Sequence, residues 1–358
     1  MSTEVEFGFV AAAAGEPGAS DAQLYRDLLA DCEHAAQLGF HSVWMIEHHF
    51  SDYFPTPNPL ILLSHAAARF PDFALGTCVL VAPWHNPLRL AEDIAALSAL
   101  TDRPLHLGLG RGTAKYEYDA FGIDMADSRD LFREAYEIIT SALSGQQFTY
   151  HGQHLRVPKA VRLRPDVDTS RVHFYGAIGT PGSATIMADL GLPPICTSIG
   201  DFETQAATVQ AWKESASRHG LSTDVTIPLM INCIIADTDD EAVAEAQRYI
   251  PAFMQAQIDH YTPDETNWQT LPSYSGWKGA FESLKGKTKP ESIPGWAQWQ
   301  LIGSPDTVRE KTRKLQDAGF THIALHTATP GVPAEIRRQW LARFAAEVAP
   351  AFAQGARP

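Results

Sequence analysis

Apolar positions along this chain follow two alternating rhythms. Between residues 21 and 38, Leu24, Leu28, Leu29, Cys32, Ala35 and Ala36 recur at helical spacing, and Gly39 stands where a helix stop is expected. Short runs rich in β-branched and aromatic residues flank that helix at 6–10 and 42–46 and read as strands. The same exchange of periods predicts helices over 59–69, 88–100 and 128–143, with strands over 73–81 and 105–109. It resumes as strands at 172–177, 194–197, 225–236 and 322–327, and as helices at 183–190, 202–218, 239–260, 305–318 and 333–353. Strands that alternate with helices predict a parallel sheet with helical crossovers. Eight of them suit a single closed (β/α)8 TIM barrel, an α/β fold, better than an open doubly wound sheet. The open sheet calls for a dinucleotide fingerprint, and Gly108-Leu-Gly110-Arg-Gly112 lacks its glycine spacing.

Two stretches break the alternation. Residues 145–171 carry Gly152, Pro158 and Pro165 and read as an inserted hairpin and loop. Residues 261–300 are rich in Pro, Gly, Ser and Lys, yet hold Trp268, Trp277, Trp296 and Trp299. Aromatic side chains in a long irregular segment favour packing onto something, and an active-site lid is the expectation. The whole chain, 1–358, is expected to form one domain.

Charge narrows the function. The 28 Lys and Arg against 42 Asp and Glu leave a formal charge of −14, which argues against nucleic acid and anionic membranes as partners. A bound phosphate would then depend on a few local arginines. The four cysteines form no Cys-x-x-Cys pair, so zinc ribbons and disulfide scaffolds are not expected. The first residues enter a strand-like run without a basic stretch, and no apolar run is long enough to span a bilayer. A soluble, reducing, cytoplasmic setting is expected.

In a barrel, chemistry sits at the C-terminal ends of strands. The second strand ends in Glu47-His48-His49-Phe50, a carboxylate and two imidazoles suited to proton transfer. The alternative for that trio is a hydrogen-bonded rim cluster; no His-Glu-x-x-His pattern supports a metal. After the fourth strand, Gly108, Gly110 and Gly112 let backbone approach a ligand closely, and Arg111 adds a fork-shaped cation. Residues 176–184, with Gly176, Gly179, Thr180, Gly182 and Ser183, read either as a phosphate cradle at a helix N-terminus or as an ordinary capped turn. Arg129 opens a helix, where the dipole disfavours a cation unless an anion is close. Neither a Gly-x-Ser-x-Gly elbow nor a Walker loop is present.

Taken in order, 39–50 with Glu47-His-His-Phe50, Leu75-Gly-Thr-Cys78-Val79, 108–112, Phe121-Gly-Ile-Asp, Ser128-Arg129, Leu190-Gly-Leu-Pro193 and Ile302-Gly-Ser-Pro305 resemble the bacterial luciferase-like flavin-dependent monooxygenases. The resemblance is to the FMN-using branch, of the alkanal-oxidising type, and covers nearly the whole chain. It implies a barrel that binds reduced FMN, supplied by a separate NAD(P)H-dependent flavin reductase. Oxygen adding to the flavin would give a hydroperoxide that oxidises a small organic substrate. By this resemblance His48 is the catalytic imidazole and Glu47 a carboxylate beside the ring. Cys78 and Val79 are the pair joined by a non-prolyl cis peptide behind it. Arg111 and Arg129 bind the phosphate, Thr180 and Ser183 form its turn, and His49 and Gly110 belong to the substrate pocket. A homodimer is implied and no metal. Gly110 departs from the luciferase pattern, which has a reactive cysteine there, so a roomier pocket without light emission is expected. Two alternatives stay open: a flavin- or deazaflavin-dependent reductase on the same barrel, and a non-catalytic, flavin-free partner subunit.

Overall fold

The computed structural model describes residues 5–261, 271, 272, 274 and 284–353. Its centre is a closed parallel barrel of eight strands. These are β1 (Glu6–Ala11), β2 (Ser42–Met45), β3 (Ala74–Val81), β4 (Leu105–Gly110), β7 (Val172–Ile178), β8 (Pro194–Thr197), β9 (Pro228–Ile235) and β11 (His322–His326). Each pairs with the next in that order, and β11 returns to β1 with His322 opposite Glu6. A short strand, β10 (Leu301–Gly303), lies outside the expected set and extends the far end of β9, pairing with Cys233–Ile235. Three residues carry too little pattern to show a period.

The strands are largely apolar because both faces are covered. β2, β4 and β9 are buried at every position. Around them lie α1 (Asp21–Gln37), α2 (Pro59–Arg69), α3 (Pro87–Ala99), α4 (Lys115–Phe121), α5 (Ser128–Leu143), α6 (Pro181–Asp189), α7 (Phe202–Arg218), α8 (Asp239–Tyr261), α9 (Ile293–Ala297), α10 (Pro305–Ala318) and α11 (Ala334–Arg343). The helix expected over 333–353 stops at Arg343, and the chain continues through a wider turn at Phe344–Val348 and a tighter one at Ala349–Phe352. First and last helices are clasped by Asp31, whose two carboxylate oxygens accept from Arg337 and Arg338, each at 2.6 Å. Among the described residues no helix is long and apolar enough to cross a membrane.

Residues 145–171 contain an antiparallel hairpin, β5 (Phe148–His151) with β6 (Arg156–Val161), outside the barrel. Buried Glu134 of α5 holds its turn by accepting the backbone N–H groups of Gln153, His154 and Leu155 at 2.7–3.0 Å. Gly152 is required there, since a Cβ would lie 2.3 Å from that carboxylate.

The N-terminal end of the barrel is plugged. Trp44 fills it, leaving no room for a side chain at Gly76, where a Cβ would sit 2.4 Å from the indole. Its Nε1 donates to Ser42 Oγ, which contacts His322 Nε2 at 2.6 Å. Among the described residues, the C-terminal end is the one left open to a ligand.

Candidate active site

At the C-terminal end lies a cavity of about 450 Å³, framed by the residues that follow β2, β3, β4, β7 and β8 and by the last turns of α8. That volume falls in the ordinary range for organic ligands. Glu47, His48, Cys78, Val79, Gly110, Arg111, Arg129 and Ser183 all line it. Thus the chain brings residues 47–183 together because successive strands deliver their C-terminal ends to one rim.

Leaving β2, Glu47 and His48 turn in opposite directions, as alternation requires. Glu47 is buried and fully engaged: it accepts from Val81 N at 2.8 Å, His85 Nε2 at 2.8 Å and His49 Nε2 at 3.0 Å. Burial opposes its charge, yet these donors hold the carboxyl below its usual range. Burial also opposes a charge on His85, and Glu47 overrides it, so that imidazole is raised. Glu47 is therefore an anionic clamp between the rim of β3 and the 46–57 loop. His48 points the other way, into an aromatic corner with Tyr53, Phe54, Tyr261 and His260, whose rings centre 4.6–6.3 Å from its own. Burial, reinforced by His260 and His49, lowers its pKa well below 6.5, so the imidazole is neutral near pH 7.

The floor beside His48 comes from β3 and β4. The Cys78–Val79 peptide is cis, and the register of β3 against β4 shifts between Thr77 and Leu80. Burial raises the Cys78 thiol, so it is a protonated, apolar surface rather than a nucleophile. At Gly110 a Cβ would lie 2.5 Å from Val79 Cγ2, so β4 needs glycine to pass this close.

The opposite end is cationic. Arg111 and Arg129 both reach the cavity, and Arg111 stacks on Tyr274, with the guanidinium carbon 3.9 Å from the ring centroid. Tyr274 Oη in turn donates to the Gly112 carbonyl at 2.9 Å and lies 3.0 Å from Ser128 Oγ. Burial, with Arg129 adding repulsion and Tyr274 opposing both, lowers the pKa of Arg111, a cost that an anion placed between the two arginines would offset. Ser183 contributes the third side of this pocket from the first turn of α6, whose positive dipole end favours an anion. A flat apolar wall ending in two arginines and a helix N-terminus fits a planar ring system with a phosphate tail.

Two expected residues lie elsewhere. Thr180 is exposed and caps α6, exchanging hydrogen bonds with Ser183 in a capping box, outside the cavity lining. His49 is likewise outside it, wedged between Glu47 and the rings of Trp84, Phe50 and Phe121. Conversely, Glu117, Tyr274 and His260 were not singled out by the sequence. Glu117 lies on α4, a helix the periodicity did not predict, and His260 is the penultimate residue of α8. Of the expected lid, 262–270, 273 and 275–283 lie outside the described residues, Trp268 and Trp277 among them. Leu284, Lys287 and Trp296 from its remainder line the cavity.

Comparison with known proteins agrees with this geometry. The sequence profile of the luciferase-like monooxygenases matches residues 5–322. Two uncharacterised proteins of Sinorhizobium fredii are 32% and 33% identical over 139 and 212 residues, 39% and 58% of this chain, and the matches span only 40% and 60% of their lengths. The alkanal monooxygenase alpha chain of Aliivibrio fischeri is 24% identical over 88% of this chain and 89% of its own. The oxygenase component of a flavin-dependent trigonelline monooxygenase from Acinetobacter baylyi is 22% identical over 93% and 91%. Among solved structures, the monooxygenase RslO1 of Streptomyces bottropensis superposes with a TM-score of 0.80 at 24% identity, covering 98% of this chain and 100% of its own. An F420-dependent secondary alcohol dehydrogenase does so at 0.75 and 16%, covering 99% and 100%. Both structural likenesses are likenesses of fold.

Proposed function

The chain belongs to the luciferase-like monooxygenase family, and from that premise we propose that it is the oxygenase of a two-component system, using reduced FMN and O2 to oxidise a small organic molecule. The observation that carries this reading is one cavity with a neutral imidazole at one end and two arginines with a helix N-terminus at the other. Reduced flavin, when bound, supplies the electrons that activate O2. Everything else falls to the chain. Arg111, Arg129 and Ser183 hold the phosphate, and the stack on Tyr274 fixes the plane of the Arg111 fork. Val79 and Cys78 would form the wall for the ring, where Gly110 lets β4 pass close to Val79. His48 accepts or returns a proton at the reacting end, with Glu47 bracing the backbone that presents it. Trp296, Leu284 and Lys287 line the cavity, which supports reading the 261–300 segment as a lid that excludes water.

A separate NAD(P)H-dependent reductase as partner is supported by the Acinetobacter relative, which is an oxygenase component. We further place the protein in the cytoplasm as a homodimer. Anaerobic titration with reduced FMN tests the cofactor: saturation at micromolar flavin is expected, and none would end this reading. Oxygen uptake with a generic flavin reductase and a panel of substrates tests the chemistry. Substrate turnover without oxygen consumption would instead assign the barrel to a flavin or deazaflavin reductase.

A further inference from the structure

Glu117 and His260 stand 143 positions apart in sequence yet meet beside His48, and nothing in the flavin chemistry above uses them. Glu117 Oε1 accepts from His49 N at 2.7 Å and lies 3.7 Å from His260 Nε2. Its Oε2 and the Nε2 of His260 are both buried with no hydrogen-bond partner, and neither Lys nor Arg pairs with the carboxyl among the described residues. The other nitrogen of His260 has two hydroxyl partners. Nδ1 touches Ser51 Oγ at 2.7 Å and Tyr116 Oη at 2.9 Å, while the Tyr116 hydroxyl already donates to the His49 carbonyl at 2.7 Å. Where Tyr116 accepts from His260, the hydrogen is on Nδ1 and Nε2 presents a lone pair to Glu117; where the Ser51 hydroxyl donates to Nδ1 instead, Nε2 presents an N–H. In the first tautomer two lone pairs face each other at 3.7 Å unless a proton sits on the carboxyl, and in neither does a cation among the described residues neutralise it.

We propose that Glu117 and His260 form a proton store behind His48, in which the Glu117 carboxyl carries an exchangeable proton, His260 holds it in place, and His48 passes it into the cavity. The geometry sets the scale of the transfer. One nitrogen or oxygen from each of His48, Glu117 and His260 lies within 4.8 Å of the others. Any three points so placed share a centre within about 2.8 Å of each, the length of a hydrogen bond to one bridging water. A zinc ion would need about 2.0–2.2 Å, so the three ligands would have to be drawn together. Glu47 and His49 face the cluster from the segment after β2, Tyr53 and Ser51 from the same loop, Tyr116 from α4, and Tyr261 from α8. In these surroundings burial moves the Glu117 carboxyl up to about 8, and moves His260 down to about 3. Near neutral pH the proton thus belongs to the carboxyl and both imidazoles are neutral. When the cavity-facing N–H of His48 is given to an oxygen of the reacting molecule, its other nitrogen takes the Glu117 proton. The carboxyl O–H breaks, the imidazole N–H forms, and the carboxylate left behind is reprotonated from solvent.

The role of His48 in this inference rests on the proposed oxygenase reading, whereas the stored proton does not. Glu117 and His260 act through His48 and are positioning residues. Infrared spectra of the flavin-free protein, taken between about pH 6 and about pH 10, should show a neutral carboxylic acid band that titrates near pH 8. The band should vanish in Glu117→Gln, and His260→Ala should shift its midpoint. Its absence in the native protein, or its survival in Glu117→Gln, overturns the store. In oxygen uptake, Glu117→Gln should lower kcat roughly tenfold or more and remove the alkaline limb of its pH profile, leaving substrate KM and flavin affinity within about threefold. An unchanged profile with the band present overturns the relay. Should the native protein bind no flavin, the band still decides the store, and the oxygenase reading fails alone. Micromolar zinc binding that is lost in His260→Ala would replace the store with a metal site.

Discussion

His48 owes its chemistry to where burial sets its protonation. Its pKa lies well below 6.5, so at neutral pH the ring offers a lone pair and one N–H rather than a fixed charge. His48→Ala removes a proton carrier without touching the arginine end. We expect flavin affinity to stay within about twofold and substrate oxidation to fall by roughly 10²–10⁴, with peroxide released in its place. Flavin titration beside a coupled peroxide assay checks both halves. Arg111→Ala acts at the other end. A charge-assisted bond to phosphate contributes about 1.5–3 kcal/mol, so FMN should bind roughly 10- to 150-fold more weakly while riboflavin, which lacks the phosphate, is unaffected. Equal loss for both ligands would place Arg111 off the phosphate. Residues 47, 48 and 111 were legible because each lies beside its strand in sequence. Glu117 and His260 were not, since their partnership exists only after α4 and the end of α8 have packed on the same corner.

Periodicity found the elements whose apolar faces are long, and missed those whose stability comes from their neighbours. The barrel strands announce themselves as largely apolar runs, whereas three-residue β10 is held by its pairing with β9. The seven residues of α4, with Glu117 and Tyr118 buried, sit in a stretch to which the periodicity assigned no element. The hairpin of β5 and β6, expected over 145–171 from its Gly and Pro residues rather than from a period, alternates half-buried with exposed positions in β5 and buries Val157 in β6. Its anchor lies outside it, in Glu134. Glu134→Ala should leave three backbone N–H groups without their acceptor and destabilise the hairpin locally by about 2–4 kcal/mol. Hydrogen exchange should then quicken across 148–161 while the barrel strands keep their protection. Uniform loss of protection would mean that the hairpin and the barrel unfold as one unit.

Taken as a whole, the barrel encloses imidazoles at both ends. His106 sits near the plugged end, with Nδ1 3.0 Å from Tyr175 Oη, and His260 and His326 lie near the open one. Burial lowers them from 6.5 to about 3, about 3 and about 4. Because the folded form resists protonation, the unfolded chain binds more protons as pH falls below 6.5. Each of these histidines therefore contributes stability that is complete above 6.5 and is lost progressively towards its folded value, at about 1.4 kcal/mol per pH unit. Glu117 works in the opposite sense. Its carboxyl rises from 4.5 to about 8, so its contribution is complete below 4.5 and is lost as pH climbs through 8. The two trends predict greatest stability close to neutrality, with the steeper decline on the acid side, where three imidazoles act together. Urea unfolding followed across pH should show that asymmetry, and Glu117→Gln should flatten the alkaline decline while leaving the acid one in place. If stability were level between about pH 6.5 and about pH 5, the buried histidines would have to be charged in the folded protein, and a neutral His48 could not then be assumed either.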